Sequence, residues 1–251
     1  MLVLTDDNVG IGGLIITGTA PKHVLIRAIG PSIGIGGSLA DPVVELHGPS
    51  PFATIINDNW QDDPVQAAAI LATGLAPTNS LESAIDATLN PGAYTIVVRG
   101  KNNTTGIGLF EIYDLDAAAP SKLANISTRA FVSTGADIVI AGFILGAHTD
   151  DDRIIARGIG PSLTAFGVPG ALANPTLELR DNNGTLVRAN NDWQDDPAQA
   201  TELTAAGLAP TNALESGIAA TLAPGTYTAL LAGFENGTGV GLVEVYDRGA
   251  P

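Results

Sequence analysis

Cysteine is absent from this chain of 251 residues, which excludes a disulfide framework, a thiolate metal site and a cysteine nucleophile. Basic residues are scarce: eleven Lys and Arg stand against 26 Asp and Glu, for a net charge of −15. Phosphate backbones are held by concentrated positive charge, so this balance argues against nucleic acid as a partner. It also keeps a displayed protein soluble. Aromatic residues make up only 5% of the chain, which weighs against a sugar-binding platform of exposed rings. No apolar run approaches the ~18 residues that mark a spanning helix, so no membrane span is expected. The segment after Met1 has no basic region and carries Asp6 and Asp7 early. It does not read as a signal peptide, and an exported form would have lost its targeting segment or carry it outside this sequence.

What the chain does have is repetition. LADPVVELH from Leu39 returns as LANPTLELR from Leu172, and NDNWQDDP from Asn57 returns as NNDWQDDP from Asn190. GLAPTNSLES from Gly74 returns as GLAPTNALES from Gly207, and LNPGAYT from Leu89 as LAPGTYT from Leu222. The offset is a constant 133 from Leu39 to Tyr113, whereas RAIGPS, ending at Ser32, pairs with RGIGPS, ending at Ser162, at 130. One loop of the second repeat is therefore three residues longer. A fixed period of this kind marks duplicated domains. The expected organisation is a first repeat over 1–115, a linker or strand over 116–130 and a second repeat over 131–251, each long enough to bury its own core. LANISTR precedes the second repeat, and nothing before Leu2 matches it. The chain thus reads as a segment of a longer tandem array, or as a unit whose missing strand comes from a neighbour.

Short apolar runs bounded by Gly, Pro, Asn and Asp read as strands. In the first repeat they are VGIGGLIITG, HVLIRAIG, PVVELHG, ATIIND, AYTIVVRG and GIGLFEIYDL. Alternation in the last places Leu109, Glu111 and Tyr113 on one face and Phe110, Ile112 and Asp114 on the other. DDPVQAAAILATG breaks the β pattern: Asp63 is placed to cap a helix, Pro64 to start it and Gly74 to end it. DDPAQATELTAAG repeats the design from Asp195. The expected fold is mostly β: two tandem jelly-roll-like β-sandwich domains, each with one short inserted helix.

The order P-x-x-E-L, polar turn, N-D-x-W, L-x-P-G-x-Y-T, hairpin, G-x-G-L-x-E-x-Y-D resembles the bacterial pre-peptidase C-terminal type of jelly-roll domain. The similarity covers roughly the second half of each repeat, and the inserted helix departs from it. The resemblance implies a secreted accessory β-sandwich, sometimes calcium-binding, attached to hydrolases or surface proteins. Over nearly its whole length the chain is also similar to tandem repeats of large exported bacterial proteins.

NDNWQDD and NNDWQDD crowd oxygen-bearing side chains at a strand end. Asn57, Asp58, Asp62 and Asp63, with Asn190, Asp192, Asp195 and Asp196, form a candidate Ca²⁺ site, since this hard cation takes six to eight oxygen ligands. The same residues fit a second role: Asp63 and Asp196 as caps, Asn57 and Asn190 as turn formers, Trp60 and Trp193 as core. Glu82 and Glu215, in T-N-[SA]-L-E-S, either pair with Asp62 or Asp63 or bond loop backbone, the latter being expected. Glu45 and Glu178 are free to face solvent. The IGPS segments at Ile29–Ser32 and Ile159–Ser162 lack the G-x-S-x-G elbow and the P-loop lysine and read as turns. His23 aligns with Arg153, His47 with Arg180, and His148 with no histidine, so no repeated base is available to Ser32 or Ser162.

No catalytic residue is assigned. The sequence points to a non-catalytic structural and interaction module of a secreted or cell-surface bacterial protein, associating end to end through an open edge of the first domain with the Asp247–Pro251 tail near the contact. Its expected partners are itself or neighbouring repeats, another surface protein or a glycan. The alternative is a carbohydrate- or surface-binding accessory domain of a secreted hydrolase, with Ca²⁺ as its only candidate cofactor. A hydrolase built on Asp and Glu is the third reading.

Overall fold

A computed structural model describes residues 1–146 and 149–249. Ala147, Ala250, Pro251 and His148, the last of these the unpaired histidine of the sequence, lie outside the described residues, as does the end of the Asp247–Pro251 tail. The chain divides into two units, Met1–Ala124 and Asn125–Pro251.

The first unit contains β1 (Leu2–Val3), β2 (Gly10–Gly18), β3 (Lys22–Ile29), β4 (Pro42–His47), β5 (Ile55–Asn57), α1 (Pro64–Ala72), β6 (Ser83–Leu89), β7 (Gly92–Gly100), β8 (Gly106–Ile107) and β9 (Leu109–Asp114). Strands β2-β7-β4-β5 form one sheet and β6-β3-β9 the other. Side chains alternate across each strand, so every second residue points between the sheets. Leu14 and Ile16 of β2, Ile26 of β3, Leu46 of β4 and Ile96 of β7 meet there as one dry core.

In the second unit lie β10 (Ser121–Val132), β11 (Val139–Leu145), β12 (Asp152–Ile159), β13 (Pro175–Asp181), β14 (Leu186–Asn190), α2 (Pro197–Ala205), β15 (Ser216–Leu222), β16 (Gly225–Gly233) and β17 (Gly239–Asp247). Its sheets run β11-β16-β13-β14 and β15-β12-β17-β10. Numbering these eight strands B to I along the chain gives C-H-E-F and G-D-I-B, the strand order of a jelly roll. The first unit follows the same order, with its strand B represented by β1 alone.

The expected linker is mostly strand. Ser121–Val132 runs for 12 residues, and the boundary between units falls within it, after Ala124. It begins beside β2, where the Thr19 N–H donates to the Pro120 carbonyl at 3.0 Å. From Asn125 it pairs antiparallel with β17, through to Val132 opposite Gly239. The Ala and Pro content of this segment is what reads as linker, and LANIST as a short strand; the strand observed is longer, starting at Ser121 and holding Asn125, a poor strand former, within it. That side chain is buried and donates its amide to the Val245 carbonyl at 3.0 Å, which satisfies it in place.

Both helices form as their sequences dictate. Asp63 accepts from the N–H groups of Val65 and Gln66, and Asp196 from those of Ala198 and Gln199. Pro64 and Pro197 occupy first-turn positions where a missing N–H costs nothing. Gly74 and Gly207 then end the helices with φ of 72° and 70°, a conformation glycine adopts without strain. Gln66 and Gln199 tie each helix to its sheet by accepting from the N–H groups of Asp86 and Ala219, both at 3.1 Å.

Candidate functional site

A buried glutamate ties two distant turns together in each unit. Glu82, 0% exposed, lies just before β6 and aims its carboxylate at the IGPS turn. Its Oε1 accepts from the Gly30 N–H at 3.1 Å, the Ser32 N–H at 2.8 Å and the Ser32 hydroxyl at 2.5 Å. Its Oε2 accepts from the Asn79 N–H at 3.4 Å. Glu215 repeats the set with Gly160 (3.2 Å), Ser162 N–H (2.9 Å), Ser162 hydroxyl (2.5 Å) and Asn212 (3.3 Å). A buried charge is tolerated only when its lone pairs are filled, and here four donors fill them. Glycine is required in the turn because a Cβ on Gly30 would stand 2.0 Å from the Leu39 carbonyl oxygen, and one on Gly160 2.1 Å from that of Leu172. The expected backbone role of Glu82 and Glu215 is therefore what the structure shows, and neither meets Asp62 or Asp63. Sequence reasoning treated Ser32 and Glu82 separately; the signal joining them was their recurrence together in both repeats.

A second repeated cluster escaped sequence reasoning. Arg27 holds Glu111 through Nε (2.9 Å) and Nη2, reaches the Leu75 carbonyl at 2.5 Å and the Tyr113 hydroxyl at 3.0 Å, and lies 5.0 Å from the Tyr113 ring centre. Arg157 does the same with Glu244, the Leu208 carbonyl and Tyr246. The guanidinium fork suits this planar, bidentate task. Burial, followed by the Glu244 charge, pushes the Tyr246 phenol up to about 12. Burial beside Glu111 pushes Tyr113 in the same direction.

The candidate calcium ligands are dispersed among structural tasks. Asn57 joins the turn to β6, donating to the Asn59 carbonyl and accepting from the Ala84 N–H; Asn190 does so with Asp192 and Gly217. Asp63 and Asp196 cap helices, Asp62 accepts from the Asn59 amide at 3.1 Å, and the Asp195 N–H closes a turn on Asp192. Hydrogen bonds from Gln199 hold the Asp196 carboxyl below the usual range. Asp58 pairs with Lys101 at 2.6 Å, and this hydrogen bond pushes the Lys101 amine up. The exchange of Asp58 for Asn191 in the second repeat now has a reason, since Phe234 stands there in place of Lys101. Among the described residues, no three His, Cys, Asp or Glu side chains gather as a metal cage. Three buried Oδ1 atoms do lack a hydrogen-bond partner at matching positions of each unit: Asp41, Asp58 and Asn59, and Asn174, Asn191 and Asp192. Asp41 and Asn174 were not among the sequence candidates, although LADP and LANP repeat.

Trp60 is buried, 5% exposed, against Leu25 and Ile70, with its Nε1 donating to the Asn79 carbonyl at 3.2 Å. Trp193 departs from expectation. It joins the matching cluster with Ile155 and Leu203 but is only partly buried, and its Nε1 finds no partner. Gly217 stands under it where Ala84 stands under Trp60, so the packing is not copied in full. Of the histidines, His23 pairs with Asp86 at 2.9 Å and His47 with Glu45 at 3.3 Å; Glu45 also holds Arg99, and Glu178 holds Arg180. The second unit carries an open hollow of about 300 Å³ lined by Thr134, Thr176, Glu178 and Asn236, without an aromatic wall.

No family model matches the chain, and no curated protein matches it. Among solved structures it is similar to the STIV MCP at 11% identity and a TM-score of 0.26, covering 98% of this chain and 93% of that one. It is also similar to a putative secreted protein from Eubacterium rectale at 9% identity and a TM-score of 0.16, covering 98% of this chain and 68% of that one. Likenesses this slight carry no argument about what the chain does.

Proposed function

We propose that the chain is a non-catalytic structural and interaction module of a secreted or cell-surface bacterial protein, in which repeats of one jelly-roll design are strung together to space or display what they carry. One observation supports this reading above others. Among the polar residues kept in both repeats, Ser32 with Glu82, Arg27 with Glu111, and Asp63 are each engaged in the same fold-internal bonds as their counterparts. Repetition has preserved architecture. The excess of acidic residues suits a module held apart from its neighbours in solution.

Stretching the tandem by its two ends in a single-molecule force experiment tests the reading: two separate unfolding events are expected, one per unit. Turnover of an ester, peptide or glycoside that Glu82→Gln abolishes while the fold survives would overturn it. A carbohydrate- or surface-binding role is favoured by one residue, Phe166, whose ring is 83% exposed in the longer loop of the second repeat. Glycan-array binding lost in Phe166→Ala would establish that alternative.

A further inference from the structure

The outer sheet faces of the two units differ at a position that leaves a carboxylate oxygen without its donor. In the first unit Arg99 of β7 stands opposite Val43 of β4, and Val97 opposite Glu45, so these four side chains share the face turned away from the core. Both oxygens of Glu45 are engaged there. Its Oε1 accepts from Arg99 Nε at 2.9 Å, and its Oε2 meets His47 Nε2 at 3.3 Å. The second unit keeps the register, with Ala232 of β16 opposite Thr176 of β13 and Leu230 opposite Glu178. Arg180, which replaces His47, takes Glu178 Oε2 through Nε at 2.9 Å and Nη2 at 2.6 Å. Ala232 stands where Arg99 would, and among the described residues Glu178 Oε1 accepts no hydrogen bond.

Loss of the arginine coincides with an opening. The hollow of about 300 Å³ is lined by Glu178 and Ala232, together with Thr176, Leu230, Ile138 of the loop before β11 and Asn236 of the turn after β16. Burial records the same difference, since Val43 opposite Arg99 is 3% exposed, whereas Thr176 opposite Ala232 is only half-buried. The volume lies at the small end of ligand pockets and suits a group the size of one side chain. Ile138, Leu230 and Ala232 offer hydrocarbon to a methylene stem, and Glu178 offers an acceptor to a charged head. Arg180 already stands on the other oxygen, but an ionised carboxylate has lone pairs enough for a second donor group. Asp137 and Glu235, next in the chain to Ile138 and Asn236, keep the surroundings acidic in a protein of net charge −15.

We propose that the hollow of the second unit binds a guanidinium group on an alkyl stem, whose N–H donors take Glu178 Oε1 as Arg99 takes Glu45 Oε1 in the first unit. The first repeat carries this ligand as one of its own side chains, and the second receives it from outside. A lysine ammonium, compact and strongly hydrated, fits the place less well than a guanidinium. Two sources offer the same chemistry: an arginine exposed on another protein chain, and a free alkylguanidine. The inference goes beyond the module reading and does not rest on it, because it needs only the second unit.

The test titrates the isotope-labelled 251-residue chain with N-acetyl-arginine amide and follows backbone amide shifts by NMR. Saturable binding at one ligand per chain is expected, with the shifts centred on Thr176, Glu178 and Leu230. Glu178→Gln should raise the Kd at least about tenfold, the effect of one lost hydrogen bond to a charged group. N-acetyl-citrulline amide, similar in shape but uncharged, should bind at least about tenfold more weakly for the same reason. Ala232→Arg should fill the hollow from within and abolish binding. A glycine-flanked arginine peptide separates the sources: tighter binding than the amide assigns the site to an arginine of another chain, and equal binding assigns it to a free guanidine. No saturable binding, equal binding of the citrulline amide, or binding that either variant leaves unchanged overturns the proposal. A chain that fails this test yet unfolds in two steps under force keeps its module reading.

Discussion

The Ser32 hydroxyl donates to the Glu82 carboxylate at 2.5 Å across fifty residues of sequence, and Ser162 repeats the bond with Glu215. Each pair closes the turn after one strand onto the start of another. Removing the carboxylate leaves three N–H groups and a hydroxyl without an acceptor. Glu82→Ala is expected to cost about 3 kcal/mol or more and Ser32→Ala about 1–2 kcal/mol. At the scale of one unit the first corresponds to a fall in Tm on the order of 10 °C. A double-mutant cycle on thermal unfolding should show the two effects to be non-additive, because both remove the same bond.

The two tryptophans should behave differently. Trp60→Phe leaves the Asn79 carbonyl short of a donor, whereas Trp193→Phe removes an N–H that has no partner. The first substitution is expected to destabilise its unit more than the second. Trp60→Ala should cost about 3–5 kcal/mol, the range for a large buried aromatic. Chemical denaturation of the three variants checks the order, and equal costs at the two positions would contradict the packing described.

Asp196 has a depressed carboxyl pKa because Gln199 bonds its charged form. Its contribution to stability is then complete above the unfolded value of about 3.9 and is lost as pH falls through the lower, folded value. Hydrogen exchange at the capped amides of Ala198 and Gln199 should accelerate below about pH 4 beyond the intrinsic trend. Asp196→Asn retains a capping oxygen without the titration, and its exchange should follow the intrinsic trend throughout.

Tyr246 gives the opposite limb. Its phenol is raised to about 12 by burial and the Glu244 charge, against about 10 for an unfolded tyrosine. A raised folded pKa means a contribution that is whole below about pH 10 and disappears as pH climbs through the folded value. An ultraviolet titration should show a late-ionising phenol near pH 12. That step should shrink in Tyr246→Phe, which should also unfold less steeply in alkali.

Calcium is expected to change little. In the first unit Lys101 already lies against Asp41 and Asp58, and in the second Asp192 is the one charged residue among the three unpartnered oxygens. Millimolar Ca²⁺ and EDTA should leave both unfolding midpoints in place, since a ligand shifts them only by binding the native state. A rise of several degrees with Ca²⁺ would show those oxygens to be ligands.

Local chemistry made much of this protein legible in its sequence. The period of 133 residues, the alternating strands, and the Asp-Pro starts and Gly ends of both helices depend on neighbours a few residues away. All of them appear where the sequence places them. What the sequence could not decide was which distant groups meet. Glu82 with Ser32, Arg27 with Glu111, and Asp58 with Lys101 are chosen by sheet order, and sheet order is set by packing across the whole unit rather than by any local preference. Asn125 shows the limit most sharply. LANIST reads as a short strand after an Ala- and Pro-rich linker, yet Asn125 can be buried inside a longer strand only because β17 lies beside it and offers the Val245 carbonyl, so tertiary structure made Ser121–Val132 a full strand.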